Sequence, residues 1–229
     1  MSPKQSCLIA LRQKILALEL APGAELDEAS LCEAHGLSRT PLREVLQRLA
    51  GEGFVTLTAH RGATVASMDL ARMRTFFQTA PMVYAGIARM AAERAEHREI
   101  AALKDIQLGF ARAVLGGDVS DASLLNHRFH AQIGAMAENP YLDAALGRML
   151  IDHTRLSQTF YRAETREDES RISLASAQHD EMIEAFAARD GAWATDITLK
   201  HWELSQDSLE RFVRPNPLPF ELEALRDAV

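Results

Sequence analysis

From Asp69 to Val213 the chain carries a single hydrophobic period, that of the α-helix, with no alternating run of the kind a half-buried strand needs. Apolar stripes predict helices over 69–95, 98–115, 120–137, 141–164, 169–189 and 192–213, parted by short breaks such as Gly116-Gly117 and Asn139-Pro140. Amphipathic helices joined this closely bury their stripes against one another, so residues 68–214 are expected to form an all-α bundle. Pro215-Asn216-Pro217-Leu218-Pro219 cannot continue the last helix and predicts a Pro-rich C-terminal tail over 215–229.

Residues 1–67 read differently. Leu8, Leu11, Ile15 and Leu18 mark a helix over 7–18 that stops at Ala21-Pro22-Gly23. Asp27 caps a short second helix with Leu31 and Ala34 facing inward and Gly36 past its end. Ser38 caps a third, with Pro41 in its first turn and Leu42, Val45, Leu46 and Leu49 as its buried stripe, ended by Gly51 and Gly53. Phe54 to Thr58 and Ala63 to Val65, joined by a glycine-bearing turn, read as a β-hairpin. The expected fold is mainly α: an N-terminal winged helix-turn-helix, three helices plus a hairpin, followed by the bundle.

Composition narrows the function classes. With 47% hydrophobic and 25% charged residues in 229, the chain can fill two cores and is not of the disordered type. The apolar stretch around Thr79 to Ala88 is too short for a bilayer, and Met1 to Leu20 carries charges where a signal peptide would be apolar. A cytoplasmic protein with no membrane partner is expected. Cys7 and Cys32 cannot make a disulfide framework or a zinc ribbon and are expected to be small buried apolar side chains.

The formal charge of -7 conceals a local basic patch. Residues 1–65 hold seven Lys/Arg and seven Asp/Glu, so the whole excess lies beyond them, while Ser38 to Gly62 sets four arginines against Glu44 and Glu52. Arg39, Arg43 and Gln47, at i, i+4 and i+8, line the face of the third helix opposite its apolar stripe. In a helix-turn-helix this face enters the major groove, where a guanidinium donates bidentately to guanine and an amide reads adenine or a phosphate. Ser38 and Thr40 at the helix start can hold a phosphate with the free backbone N–H groups there. His60, Arg61 and Gly62 at the hairpin tip can reach a flanking groove. The bland alternative is a solvated arginine face paired with Glu44 and Glu52.

Leu26-Asp27-Glu28 through Leu31, then Gly36-Leu37-Ser38-Arg39-Thr40-Pro41-Leu42-Arg43-Glu44-Val45-Leu46-Gln47-Arg48-Leu49, Gly53-Phe54-Val55 and Arg61-Gly62-Ala63-Thr64-Val65 resemble the winged-helix domain of GntR-family transcriptional regulators. The helical remainder is similar to the FCD domain of the FadR-type branch, and with about six helices it looks closest to the VanR-like subgroup. The resemblance adds Arg48 to the DNA-binding set. It implies a homodimeric regulator, a repressor before an activator, whose affinity for a short palindromic operator on double-stranded DNA is set by a small organic-acid effector. It also makes residues 68–214 the effector-binding and dimerisation domain. A dimer is expected on physical grounds too, since one recognition helix reads only a few base pairs.

Three of the eight histidines lie on inward faces. Asn126 and His130 share a face with Ile133 and Ala137; His179 shares one with Met182, Ile183 and Phe186; and His201 shares one with Trp193, Ile197 and Leu204. Imidazoles converging from three helices, with an oxygen donor one turn from the first, can hold a divalent transition metal such as zinc or nickel and leave positions open for a carboxylate. Each alone is more often a satisfied core or boundary histidine than a ligand. The family's Asp-x-x-x-His motif is similar to Asn126 to His130, and its two later histidines match His179 and His201. Asparagine here replaces aspartate, which removes a charge and weakens the ligand set. His127, three residues before His130, is expected on the outer face. Occupancy is expected to fall as pH drops through about 6.5, where imidazole protonates.

In the register of the resemblance, Ala80 and Tyr84 stand where the family commonly has an arginine and a glutamate, with Pro81 between them. Arg155, Tyr84 and Tyr161 are then the candidates for contacting the effector. An enzyme reading would make the cluster a metal-dependent hydrolase, but no acidic residue stands at a general-base spacing; Glu181, two residues after His179, points elsewhere. A third reading is a helical interaction module with ordinary core histidines.

Overall fold

A computed structural model describes the backbone of residues 1–58 and 62–213, with side chains up to Leu204. His60, Arg61 and the tail over 215–229 lie outside the described residues. Helix α1 (Pro3–Leu16) starts earlier than the apolar stripe suggests, because Ser2 accepts the Gln5 N–H and Pro3 suits a first turn. It also ends earlier, with Leu18 in the left-handed region at φ 59°. Then come β1 (Glu25–Leu26), α2 (Glu28–His35), α3 (Arg39–Glu52), β2 (Val55–Thr58) and β3 (Gly62–Val65).

The hairpin forms with Val55 opposite Val65 and Thr58 opposite Gly62, and the unexpected β1 joins its free edge in the order β1-β3-β2. Two residues have no detectable period; β1 exists because the return from α1 runs beside β3, pairing Leu26 with Ala63. Asp27 caps α2 through the N–H groups of Ala29 and Ser30, and Gly36 at φ 60° reverses the chain into α3, a backbone region that favours a residue without Cβ. Three local expectations are corrected. Ala34 is exposed, because α2 lays only Leu31 and Cys32 against the core. Cys32 is half-buried there, while Cys7 is fully buried. Ser38 occupies the N-cap position of α3, yet its hydroxyl makes no capping hydrogen bond. Leu42, Val45, Leu46 and Leu49 are buried as expected, and burial of such side chains contributes about 1.5–3 kcal/mol each.

The rest is helical: α4 (Leu70–Arg94), α5 (His97–Gly116), α6 (Val119–Met136), α7 (Pro140–Phe160), α8 (Arg166–Ala187) and α9 (Gly191–Val213). Helix α4 runs through Pro81. Thr165 and Asp168 form a reciprocal cap that starts α8 three residues before the expected point. Helix α6 meets α7 at Gly134, where an added Cβ would come within 2.5 Å of Leu146.

One helix joins the two domains. Ile151 of α7 belongs to the core of the winged helix. Arg148 donates to the Gly51 carbonyl at 2.9 Å, and Gln158 to that of Leu16 at 3.2 Å. Arg155, wholly buried, donates to the Ala66 carbonyl at 2.7 Å and pairs with Asp152, which also receives Arg72 at 2.9 Å. No helix among the described residues is long and apolar enough to cross a membrane.

Candidate functional site

The exposed face of α3 carries Arg39, Thr40, Arg43 and Gln47, opposite the buried stripe, as the spacing predicts. Among the described residues Arg39 makes no ion pair, whereas Arg43 Nε lies 3.3 Å from the Glu28 carboxylate of α2. Gln47 and Arg43 line an open cleft with Glu28, Leu57, Thr58 and Gly62, so the recognition helix and the root of the wing form one surface. Arg48 is turned the other way: it shares Glu52 with Arg12 of α1, and Glu44 pairs with Lys4. The acidic residues of α3 are thereby engaged by α1, which leaves its N-terminal half with two exposed guanidinium groups.

Inside the bundle, Asn126 and His130 of α6, His179 of α8 and His201 of α9 are all buried, and the three histidines meet at one point, with Asn126 one turn before His130 on the same helix. Ligand atoms of the three histidines lie within 4.8 Å of one another. Ring centroids of His179 and His201 are 4.7 Å apart, and each lies 5.6 Å from that of His130. Glutamines orient two of the rings. Gln107 Oε1 faces His179 Nδ1 at 3.0 Å, and Gln178 Oε1 faces His201 Nδ1 at 3.1 Å. Gln107 is itself held through its amide nitrogen by the Ser176 carbonyl at 2.9 Å.

An amide oxygen only accepts, so both Nδ1 atoms carry the proton and both Nε2 atoms carry a lone pair, the tautomer a metal requires. Nε2 of His130, Nε2 of His179 and Oδ1 of Asn126 are buried without a hydrogen-bond partner. Each such orphan costs about 1–3 kcal/mol, which a ligand would relieve. The donors therefore suit a divalent transition metal. Burial disfavours the charged imidazoles: His201 is pushed down to about 4, and His130 and His179 well below the usual histidine range, the neighbouring histidines adding to the burial effect. Protons thus compete for the folded cluster well below the pH 6.5 of a free imidazole.

Sequence reasoning missed His153. It shares the inward stripe of α7 with Leu146 and Leu150, a spacing that could have revealed it, and its ring lies 5.0 Å from that of His130. Burial lowers its pKa to about 3. The Tyr84 hydroxyl of α4 contacts its Nδ1 at 2.7 Å, and Asn126 Nδ2 lies 3.5 Å from its Nε2. Of the three effector candidates, only Tyr84 is brought to the cluster. The guanidinium of Arg155 is turned to the interdomain linker, and Tyr161 packs on Phe110 at 5.3 Å, lining a separate cleft between the ends of α5, α6 and α8. His127 is half-buried against Thr154 at 2.7 Å instead of lying on the outer face, because α7 covers that side of α6. Glu181 receives the Trp193 indole at 2.8 Å and faces α9 away from the histidines.

Residues 6–65 match the domain of the bacterial regulatory proteins of the gntR family, and residues 82–204 match the FCD domain. The chain is 28% identical over 223 residues to an HTH-type transcriptional regulator in an unstable DNA locus of Streptomyces ambofaciens, an alignment covering 96% of this chain and 91% of that one. It is 31% identical over 123 residues to the Nta operon transcriptional regulator of Aminobacter aminovorans, covering 53% of this chain and 57% of the relative. It is 22% identical over 206 residues to the transcriptional repressor RspR of Escherichia coli, covering 90% and 88%. The fold is that of Escherichia coli McbR/YncC, with a TM-score of 0.78 at 19% identity, over 93% of this chain and all of that one.

Proposed function

The chain belongs to the GntR family of bacterial regulatory proteins and carries an FCD domain behind its winged helix, and we propose that it is a metabolite-responsive repressor that binds a palindromic operator as a homodimer. Its effector is an organic acid, held by its carboxylate at a divalent transition metal, zinc or nickel, in the histidine cluster. The six described helices behind the winged helix favour the VanR-like subgroup, and RspR, a repressor by name, supports the sign of regulation.

The observation that carries this reading is the set of three imidazoles within 4.8 Å, two of them (His179 and His201) oriented by glutamines and two of them (His130 and His179) with an unpartnered Nε2, in the domain behind a DNA-binding fold. His130, His179 and His201 would hold the metal, with Asn126 Oδ1 as a neutral fourth donor. The metal would supply a Lewis-acid anchor for a carboxylate. Tyr84 closes one side of the site, its ring 5.4 Å from that of His130. Arg39, Arg43 and Gln47 would read base edges, while Ser38 and Thr40 take a phosphate.

Helix α7 supplies the coupling. It presents His153 to the cluster and Ile151, Arg155 and Gln158 to the winged helix within two turns. An effector that binds one placement of α7 better than another shifts operator affinity by that difference and no more, typically 5–150-fold. The hydrolase alternative has less support, since Glu181, its nearest general base, is bonded to Trp193.

The test is operator binding by the zinc-loaded protein, followed by fluorescence anisotropy across a panel of organic and sugar acids. At least one acid should change affinity fivefold or more. No response to any acid, in loaded and stripped protein alike, would remove the effector reading.

A further inference from the structure

An asparagine at a metal site raises a problem that an aspartate does not. A carboxylate offers an oxygen whichever way it turns, whereas an amide offers an acceptor at one end and a donor at the other. Asn126 can serve as a ligand only if its amide is held with Oδ1 toward the histidines. The side chain is buried, and among the described residues its only hydrogen-bond contact is to His153, at 3.5 Å from Nδ2 to Nε2.

We propose that His153 is a positioning residue for Asn126: its Nε2 accepts from the amide nitrogen and so turns Oδ1 into the metal site, with the Tyr84 hydroxyl fixing the ring in place and able to accept the Nδ1 proton that this tautomer requires. Amide nitrogen only donates, so His153 Nε2 must be unprotonated and the ring proton sits on Nδ1. Tyr84 lies 2.7 Å from that Nδ1 and accepts it. Asn126 Oδ1 is then the end left without a partner, as observed. His179 and His201 are set by obligate acceptors, their Nδ1 atoms donating to the amide oxygens of Gln107 and Gln178. His153 lies outside the set of mutually close ligand atoms formed by His130, His179 and His201, which fits a role in the shell behind the ligands. It thus compensates for the exchange of a symmetric carboxylate for an asymmetric amide. This inference rests on the metal reading given above.

A double-mutant cycle on the full-length protein tests it, with zinc affinity measured by competition against a chromophoric chelator and folding checked by circular dichroism. His153→Phe keeps a ring of similar size but removes the acceptor, and is expected to weaken zinc binding 10–100-fold, the usual effect of losing a supporting group. In the Asn126→Asp background, where either oxygen serves, the same change should cost no more than about twofold. Tyr84→Phe, which leaves His153 in place, should show the same dependence on background at smaller size, and it answers the question if His153→Phe fails to fold. Equal losses in both backgrounds would mean that His153 merely packs, and no loss in the Asn126 background would mean that the amide is set by something else. Wild-type protein that binds no zinc at all would overturn the metal reading itself, and this inference with it.

Discussion

The winged helix and the bundle carry their functional groups in opposite ways. In the first, Arg39, Arg43 and Gln47 stand on one face of one helix, exposed, with no partner that the core needs. In the second, Tyr84, Asn126, His130, His153, His179 and His201 come from five helices and are buried to the last residue. A surface that meets DNA must be open and can tolerate water around its charges. The buried imidazoles are instead kept neutral by their surroundings, and burying unpartnered polar atoms has a cost in stability. Changes in the first region should therefore alter binding and spare the fold, whereas changes in the second should alter both.

The sharpest separation is expected at the metal. His179→Ala should take metal content, measured by elemental analysis after loading and dialysis, from near one equivalent to near none, while metal-free operator binding is retained. Equal content in both proteins would turn the cluster into a polar core. Next in size is the junction. Replacing Arg155 by leucine leaves Asp152 with Arg72 alone and frees the Ala66 carbonyl, and orphaning a buried acceptor in this way costs about 1–3 kcal/mol. Urea denaturation measures it, and a loss under 1 kcal/mol would mean that the winged helix docks on α7 mainly through Ile151.

Protonation gives the third contrast. In the metal-free fold His201 titrates near 4 and His153 near 3, against 6.5 when exposed. Between 6.5 and those values the unfolded chain binds more protons than the folded one, so stability is full above 6.5 and falls as pH drops through that window. The slope is about 1.4 kcal/mol per pH unit for each imidazole held neutral. Urea midpoints that stay flat between pH 6.5 and 4.5 would show that the cluster opens to water. The smallest effects on folding belong to the exposed face. Arg39→Ala or Arg43→Ala should lower affinity for the specific operator by about 1–3 kcal/mol if the side chain reads a base. Stability should move by no more than about 0.5 kcal/mol. A uniform weakening on all DNA sequences would instead assign the arginine to phosphates.

The contrast extends to what could be read before any coordinates. Helix positions in both domains were legible because amphipathic stripes and caps are local: Asp27, Gly36 and Asn139 act within a few residues of where they stand. All four proposed ligands were legible, His130, His179 and His201 as histidines on inward stripes and Asn126 one turn before His130 on the same stripe. Strand β1 was not, since its pairing with β3 depends on where α1 returns the chain. Nor was the lining of the site complete, because Gln107 lies on α5 and Gln178 on α8, and what each orients is visible only once the helices are packed.

Period and residue type alone determined the two-domain order, the basic face of α3 and the inward direction of His130, His179 and His201, because each depends on neighbours one turn away. Tertiary structure decided which inward faces meet. It brought His153 of α7 to Asn126 of α6 and turned Arg155 from a ligand candidate into the tie between domains. A helical period specifies the direction of a side chain about its own axis. The distance to another helix follows from the packing of every side chain between the two.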